Sequence, residues 1–284
     1  MHLEKSIRNL AGVQIPYLIY GTAWKETRTA DLVFKAISYG FRGIDTACQP
    51  KHYNEPGVGE ALSRLKDIGI GREDLFLQTK FTPLAGHDPQ RVPYDRRASL
   101  ADQVVQSFSV SQKNLGTEYV DSLVLHSPLT TLNQLMEVWE AMERICRSGG
   151  AKQIGISNCY DLSLMKELYE RATVKPAVLQ NRFYSETHYD HDLRRWCREH
   201  GVVYQSFWTL SANPHILQHA VVQKAASDLS KTAAQVFFRF LVQSGVVPLT
   251  GTCSEQHMKD DLAVLDFILP PTLVGAIDEI LTSS

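Results

Sequence analysis

The chain alternates short apolar runs with stretches whose apolar residues recur at helical spacing, and it keeps this rhythm along its length. Tyr17-Leu18-Ile19-Tyr20 is a continuous apolar run of the kind a buried strand needs, and it ends at Gly21-Thr22. Thr27 can cap a helix reaching about Tyr39, with Leu32, Val33, Ala36 and Ile37 inward and Gly40 as its natural stop. Residues 41–47 predict the next strand and 58–65 the next helix. Further strands are expected at 75–81, 119–125, 153–156, 177–180, 202–207 and 246–249. Helical spacing fills 99–115, 132–146, 161–172, 190–200, 215–228 and 232–242, with Ser230 able to cap the last. Helices at 254–265 and 271–281 close the chain. Ahead of the first strand, residues 6–16 read as a small hairpin turning at Ala11-Gly12.

Eight strand-then-helix units follow one another with no linker or low-complexity segment. Continuous apolar strands belong to a parallel sheet covered on both faces. Eight such units in ~250 residues fit a (β/α)8 TIM barrel. The expected architecture is therefore α/β, one barrel domain over residues 1–284, with an N-terminal β-hairpin and a short C-terminal tail. The alternative is an open doubly wound sheet, which normally carries a G-x-G-x-x-G turn after its first strand; here that strand leaves through Gly21-Thr22-Ala23-Trp24.

A barrel of this kind gathers the carboxyl ends of its strands at one mouth, where its chemistry sits. Those ends carry Trp24, Asp45, Lys80, His126, Ser157-Asn158, Gln180, Ser206 and Thr250. Asp45, Lys80 and His126 follow neighbouring strands and are expected to converge, with Tyr53 delivered from the loop after Asp45. Tyrosine, with a pKa near ~10, is a poor acid at neutral pH. An ammonium at Lys80 would lower it, Asp45 would hold that ammonium, and His126 would hydrogen-bond at the same spot. Tyr53 then becomes a proton donor to a carbonyl oxygen, or an acceptor from an alcohol, without a metal. Taken singly these residues have plainer readings: Asp45 bracing a loop, His126 as a satisfied core group, Gln180 bonding loop backbone, Trp24 and Trp208 as rim aromatics.

Composition narrows the partners. At 44% hydrophobic and 21% charged residues with a net charge of −2, nothing suggests nucleic acid or an anionic membrane, and no apolar run is long enough to span a bilayer. Met1-His2-Leu3-Glu4-Lys5 does not read as a signal peptide. Five widely spaced cysteines with no C-x-x-C predict free thiols and a cytoplasmic location. Cys48 beside the Tyr53 loop shows no sign of a lowered pKa. His188 and His191 share an H-x-x-H spacing, but no further ligand completes a metal set, so a solvated helix face is expected.

Several motifs in order resemble the aldo-keto reductases over nearly the whole chain: Gly43-Ile44-Asp45-Thr46-Ala47, Tyr53-Asn54-Glu55, Val58-Gly59, Gln78-Thr79-Lys80, Leu125-His126-Ser127-Pro128, Ile154-Gly155-Ile156-Ser157-Asn158 and Gln180. The resemblance implies a catalytic tetrad of Asp45, Tyr53, Lys80 and His126. It implies NADPH, or NADH, in the barrel mouth, its carboxamide held by Ser157, Asn158 and Gln180, and a small-molecule carbonyl as substrate. The cofactor would be contacted further by Gln205, Ser206, Thr250, Gly251, Thr252, His257 and Asp261, and the substrate by Trp24, His52 and Trp208.

Four departures stand out. The tyrosine comes later than the family spacing, and aligning on Asn54-Glu55 puts His52 at the acid's position; Tyr53 is favoured because a phenol beside a lysine accounts for the rest of the tetrad. Gln205 takes the place of the aromatic that usually stacks on the nicotinamide, leaving Phe207 or Trp208 to cover the ring. Leu249 replaces the phosphate-binding lysine and His257 the arginine, while Gly251-Thr252 before a helix can still cradle a phosphate, with Lys259 adding charge. The short tail leaves an open pocket, bounded by Trp24, the loop 82–97 and residues 208–214. Two other functions fit the same barrel: a nucleotide-binding regulatory subunit, and a non-redox acid–base enzyme.

Overall fold

The computed structural model describes residues 5–282. The N-terminal residues read for a leader, 1–4, and the last two of the tail lie outside them. Eight parallel strands close a barrel: β3 (Ile19–Gly21), β4 (Gly43–Asp45), β5 (Phe76–Phe81), β6 (Ser122–Leu125), β7 (Ile154–Ser157), β8 (Val178–Arg182), β9 (Val203–Phe207) and β10 (Val246–Thr250), with β10 returning to pair β3. They are preceded by β1 (Ser6–Arg8) and β2 (Gln14–Pro16), an antiparallel hairpin with Ile7 opposite Ile15 and Gly12 at φ +75° in its turn.

The barrel interior is layered by polarity. Ile15 from the hairpin packs with Ile19, Phe76, Val178, Val203 and Val247 to plug the amino-terminal end. Above this dry floor the inward positions turn polar: Asp45, Gln78, Lys80, Gln180 and Gln205 are all buried. Outside the strands a second apolar layer, including Trp139, Phe237 and Phe240, seats the helices. Gly155 marks the tightest strand contact, because a Cβ there would lie 2.6 Å from the Val178 carbonyl oxygen.

Several local expectations change. The helix after Asp45 begins at Glu55 rather than 58, because the Asn54 side chain accepts from Gly57 N at 3.0 Å and caps it. The helix expected over 215–228 is two, Pro214–Gln218 and Ala220–Leu229, broken at His219 where ψ is 138°. Ser230 ends the second of these in a left-handed conformation, and Thr232 caps the helix Ala233–Gln243 instead. His188 sits at φ +49° in an irregular turn (Ser185–Asp190), while His191 starts the next helix, so the two share no helix face.

Gly155→Ala should destabilise the barrel by about 1–3 kcal/mol, since backbone opposes the new methyl. Urea unfolding measures it, and an unchanged midpoint would mean β7 and β8 can separate freely.

Candidate active site

Asp45 ends β4 inside the barrel, where its carboxylate collects three donors: Lys80 Nζ at 2.6 Å, Gln78 Nε2 at 2.7 Å and Gln180 Nε2 at 3.1 Å. Lys80 also donates to the Thr46 carbonyl at 2.9 Å. Burial pulls the Lys80 ammonium below the usual lysine range, and the Asp45 carboxylate opposes that pull. Gln205 completes the layer, its Oε1 accepting from Gln78 at 2.7 Å and Gln180 at 2.9 Å. The Asp45 carboxylate and the Gln205 carbonyl are thereby satisfied from across the barrel, as a buried network needs.

The two residues at issue in the loop part company. Tyr53 N and His52 N both donate to the Gln49 carbonyl, so residues 49–53 coil into one turn. Cys48 N bonds the Lys80 carbonyl and Gln49 Nε2 bonds the Gly86 carbonyl at 2.7 Å, which pins the turn at its start. That coil takes up the extra residues. It brings the Tyr53 ring 5.1 Å from Lys80 Nζ and edge-on to His126, at 5.9 Å between centroids. His52 instead lies against Trp24, 3.8 Å between ring centroids, and its backbone carbonyl accepts from Trp24 N at 2.8 Å.

The expected acidifying effect of Lys80 on Tyr53 is overturned: burial, then the Asp45 carboxylate, raises the phenol above its ordinary value. The lysine charge is already matched by Asp45, so the phenol meets a neutral pair. His126 is pushed well below the usual histidine value by burial and then the Lys80 charge, so its ring is neutral. One ring nitrogen, Nδ1, is engaged with Thr82 Oγ1 at 2.7 Å. Cys48 is buried and its thiol raised by that burial and by Glu55.

A cavity of about 740 Å³ opens above this layer. Of the expected site residues, Trp24, Asp45, His52, Tyr53, His126, Ser157, Asn158, Gln180, Trp208, Thr250, Gly251, Thr252, His257 and Asp261 line it. Gln205 and Ser206 do not: Gln205 is wholly buried in the glutamine layer beneath, and Ser206 turns to Thr209 at 2.9 Å. Phe207 lines the cavity in their stead. The loop 82–97 also stays away, because Tyr94 and His87 tie it back to the Thr82 carbonyl at 2.9 Å each; its Arg91 and Pro93 line a separate recess outside the Tyr53 turn. Residues 208–211 do form a wall. Lys80 lies below the cavity, beneath Tyr53.

Two cationic cavity residues were missed by sequence reasoning. Lys25 follows Trp24 and donates to the Gly251 carbonyl. Arg182 stands two residues beyond Gln180, so the two-residue period of a strand gives it the same inward face; that period was the available signal. Trp24, Asn158 and Trp208 take left-handed φ values of 62°, 54° and 56° at the mouth, a strain typical of functional sites.

The residues present fit a dinucleotide in several respects. Gln180 Nε2 is committed to Asp45 and Gln205, while its Oε1 accepts no hydrogen bond among the described residues and can take an amide N–H. Asn158 Nδ2 is spent on the His126 carbonyl at 2.8 Å, so it braces the histidine as well. At the far end, Ser254 caps the helix Glu255–Leu262, and Thr250 Oγ1 donates to Asp261 at 2.7 Å.

A family model, described as the aldo/keto reductase family, matches residues 18–282. An uncharacterized Bacillus subtilis oxidoreductase is 28% identical over 98% of this chain and 93% of its own length. An NADPH-dependent codeinone reductase of Papaver somniferum is 27% identical over 95% of this chain and 87% of its own. Among solved structures, an aldo/keto reductase from Brucella melitensis superposes with a TM-score of 0.82, 26% identical, over 98% of this chain and 99% of its own. An aldo-keto reductase complexed with NADPH superposes with a TM-score of 0.83, 25% identical, over 98% of this chain and 88% of its own.

Burial raises the Asp261 carboxyl from 3.8 to about 6. A raised carboxyl favours the fold when protonated, so its ionisation penalty is absent below the unfolded value near ~3.9 and complete above the folded one. Asp261→Asn should therefore gain stability over the parent as pH rises from about 4 to 7, by about 1–3 kcal/mol. Urea titrations at both ends test it, and a difference independent of pH would contradict the buried protonated carboxyl.

Proposed function

The chain belongs to the aldo/keto reductase family and is an NAD(P)H-dependent oxidoreductase; we propose that it reduces an aldehyde or ketone to the alcohol with Tyr53 as general acid and NADPH as hydride source. The observation that carries the assignment of the acid is the Tyr53 ring set against both Lys80 and His126 above the Asp45 ion pair. NADPH is supported by the NADPH-dependent relative and the NADPH complex. When bound, the cofactor supplies a hydride for the carbonyl carbon; Gln180, Ser157 and Asn158 would hold its carboxamide and Thr250, Gly251, Thr252, His257 and Asp261 its adenosine end.

The chain's own residues handle the proton. A carbonyl oxygen hydrogen-bonded by Tyr53 and by neutral His126 gains negative charge as the carbon is reduced, and Tyr53 transfers its proton as that charge grows. Lys80 steadies the resulting phenolate, and Asp45 keeps Lys80 charged and in place. Reduction needs the phenol, and burial holds it in that form. The reverse oxidation needs the phenolate and should speed up with rising pH. Trp24, His52 and Trp208 would wall the substrate. Five free cysteines support the cytosol as its compartment, and a net charge of −2 supports no nucleic-acid partner. No helix among the described residues is long and apolar enough to cross a membrane.

Loss of reduced-cofactor absorbance with a panel of carbonyls tests the activity. Tyr53→Phe should lower kcat about 10²–10⁴-fold while leaving the cofactor Kd unchanged. His52→Ala should act chiefly on KM. A fully active Tyr53→Phe beside a dead His52→Ala would transfer the role to His52. Rates of reduction should show no decline from tyrosine ionisation between about pH 6 and 9, given the upward shift.

A further inference from the structure

Arg182 ends β8 at the cavity mouth with its side chain on the same inward face as Gln180. Its guanidinium lies over the Trp208 ring, 4.0 Å from the centroid, and 5.1 Å from that of Tyr184. Its own backbone N–H donates to Tyr160 Oη at 3.2 Å, which fixes the strand end beneath it. Yet the guanidinium makes no hydrogen bond or ion pair among the described residues, and Nε is buried without an acceptor. The three carboxylates of the cavity are engaged elsewhere: Asp45 by Lys80, Asp260 by Gln256 and Asp261 by Thr250. Lys25, another cation of the cavity, is occupied by the Gly251 carbonyl.

An unsatisfied buried donor on a cation is costly. Aromatic faces hold a guanidinium in position, but its N–H groups point outward in its own plane and stay available for an acceptor. The natural acceptor is an oxyanion, which a guanidinium takes through two parallel hydrogen bonds. We propose that Arg182 is an oxyanion-recognition residue of this cavity, binding a phosphate or carboxylate group of the molecule that enters it. Two sources offer that chemistry: a phosphate of the dinucleotide, and a carboxylate on the carbonyl substrate. The inference rests on the reductase reading for the second source and is independent of turnover for the first.

Arg182→Met keeps an apolar stem between the aromatic rings and removes the charge. Titration of Arg182→Met against NADPH and against reduced nicotinamide riboside, which has no phosphate, reads the first source without catalysis. An about 10–100-fold weaker Kd for NADPH with the riboside unchanged assigns Arg182 to the cofactor. Steady-state KM for 4-carboxybenzaldehyde against 4-methylbenzaldehyde reads the second. A comparable rise for the carboxylate alone assigns it to the substrate. Arg182→Lys should restore part of either effect, because it returns the charge without the fork. The proposal is overturned by ligands of both charge types weakening together, which is the signature of packing, or by neither changing more than twofold. Failure of the reductase reading would instead appear as absent turnover in the parent protein, with the NADPH titration still interpretable.

Discussion

The buried pair of Asp45 and Lys80, 2.6 Å apart and almost without solvent exposure, is the constraint on which the site depends. Two ions this deep cost several kcal/mol each to desolvate, and their attraction repays that only when the remaining hydrogen-bonding capacity is filled. Here it is filled from the neighbouring strands: Gln78 and Gln180 donate to Asp45, and the Thr46 carbonyl takes a Lys80 proton. Gln205 then ties the two glutamines together across the barrel. Truncating either ion would leave the other buried and alone. The polar layer is therefore rigid, and whatever stands on it inherits its position.

Tyr53 is what stands on it. Because Asp45 already answers the Lys80 charge, the lysine does not act as a bare cation that acidifies the phenol. Tyr53 stays protonated, with its upward shift set by burial and Asp45. That suits the proposed role of Tyr53, a donor whose proton is needed only as charge develops on the substrate oxygen. His126 follows the same logic: neutral, braced at Nδ1 by Thr82 and along its backbone by Asn158.

The mouth is softer in construction. Trp24, Asn158 and Trp208 hold left-handed backbone conformations there, and Trp24 is tied to His52 through its backbone. The helix junction near His219 and the turn before His191 lie outside the cavity wall, so their departures from expectation leave the site unchanged. The loss of the stacking aromatic does matter. With Gln205 drawn down into the layer around Asp45, Phe207 and Trp208 become the aromatic surfaces above it.

By itself the sequence determined the barrel and the identity of its chemical groups. Continuous apolar strands alternating with amphipathic helices admit few other folds, and a strand's exit residue is readable from its run. Asp45, Lys80, His126 and Gln180 were legible for that reason. Tertiary structure alone decided which loop residue meets them. Asn54 and Gln49 are local signals, but that the coil of 49–53 turns Tyr53 toward Lys80 and His52 toward Trp24 depends on anchors at Lys80 and Gly86, distant along the chain. Gln205 was misplaced because its partners, Gln78 and Gln180, come from across the barrel, and Arg182 was missed because only the closed mouth brings Trp208 beneath it. Spacing reports which side of a strand a residue occupies; the charge it meets there, and hence whether Tyr53 is made more acidic or less, is set by contacts between strands remote in sequence.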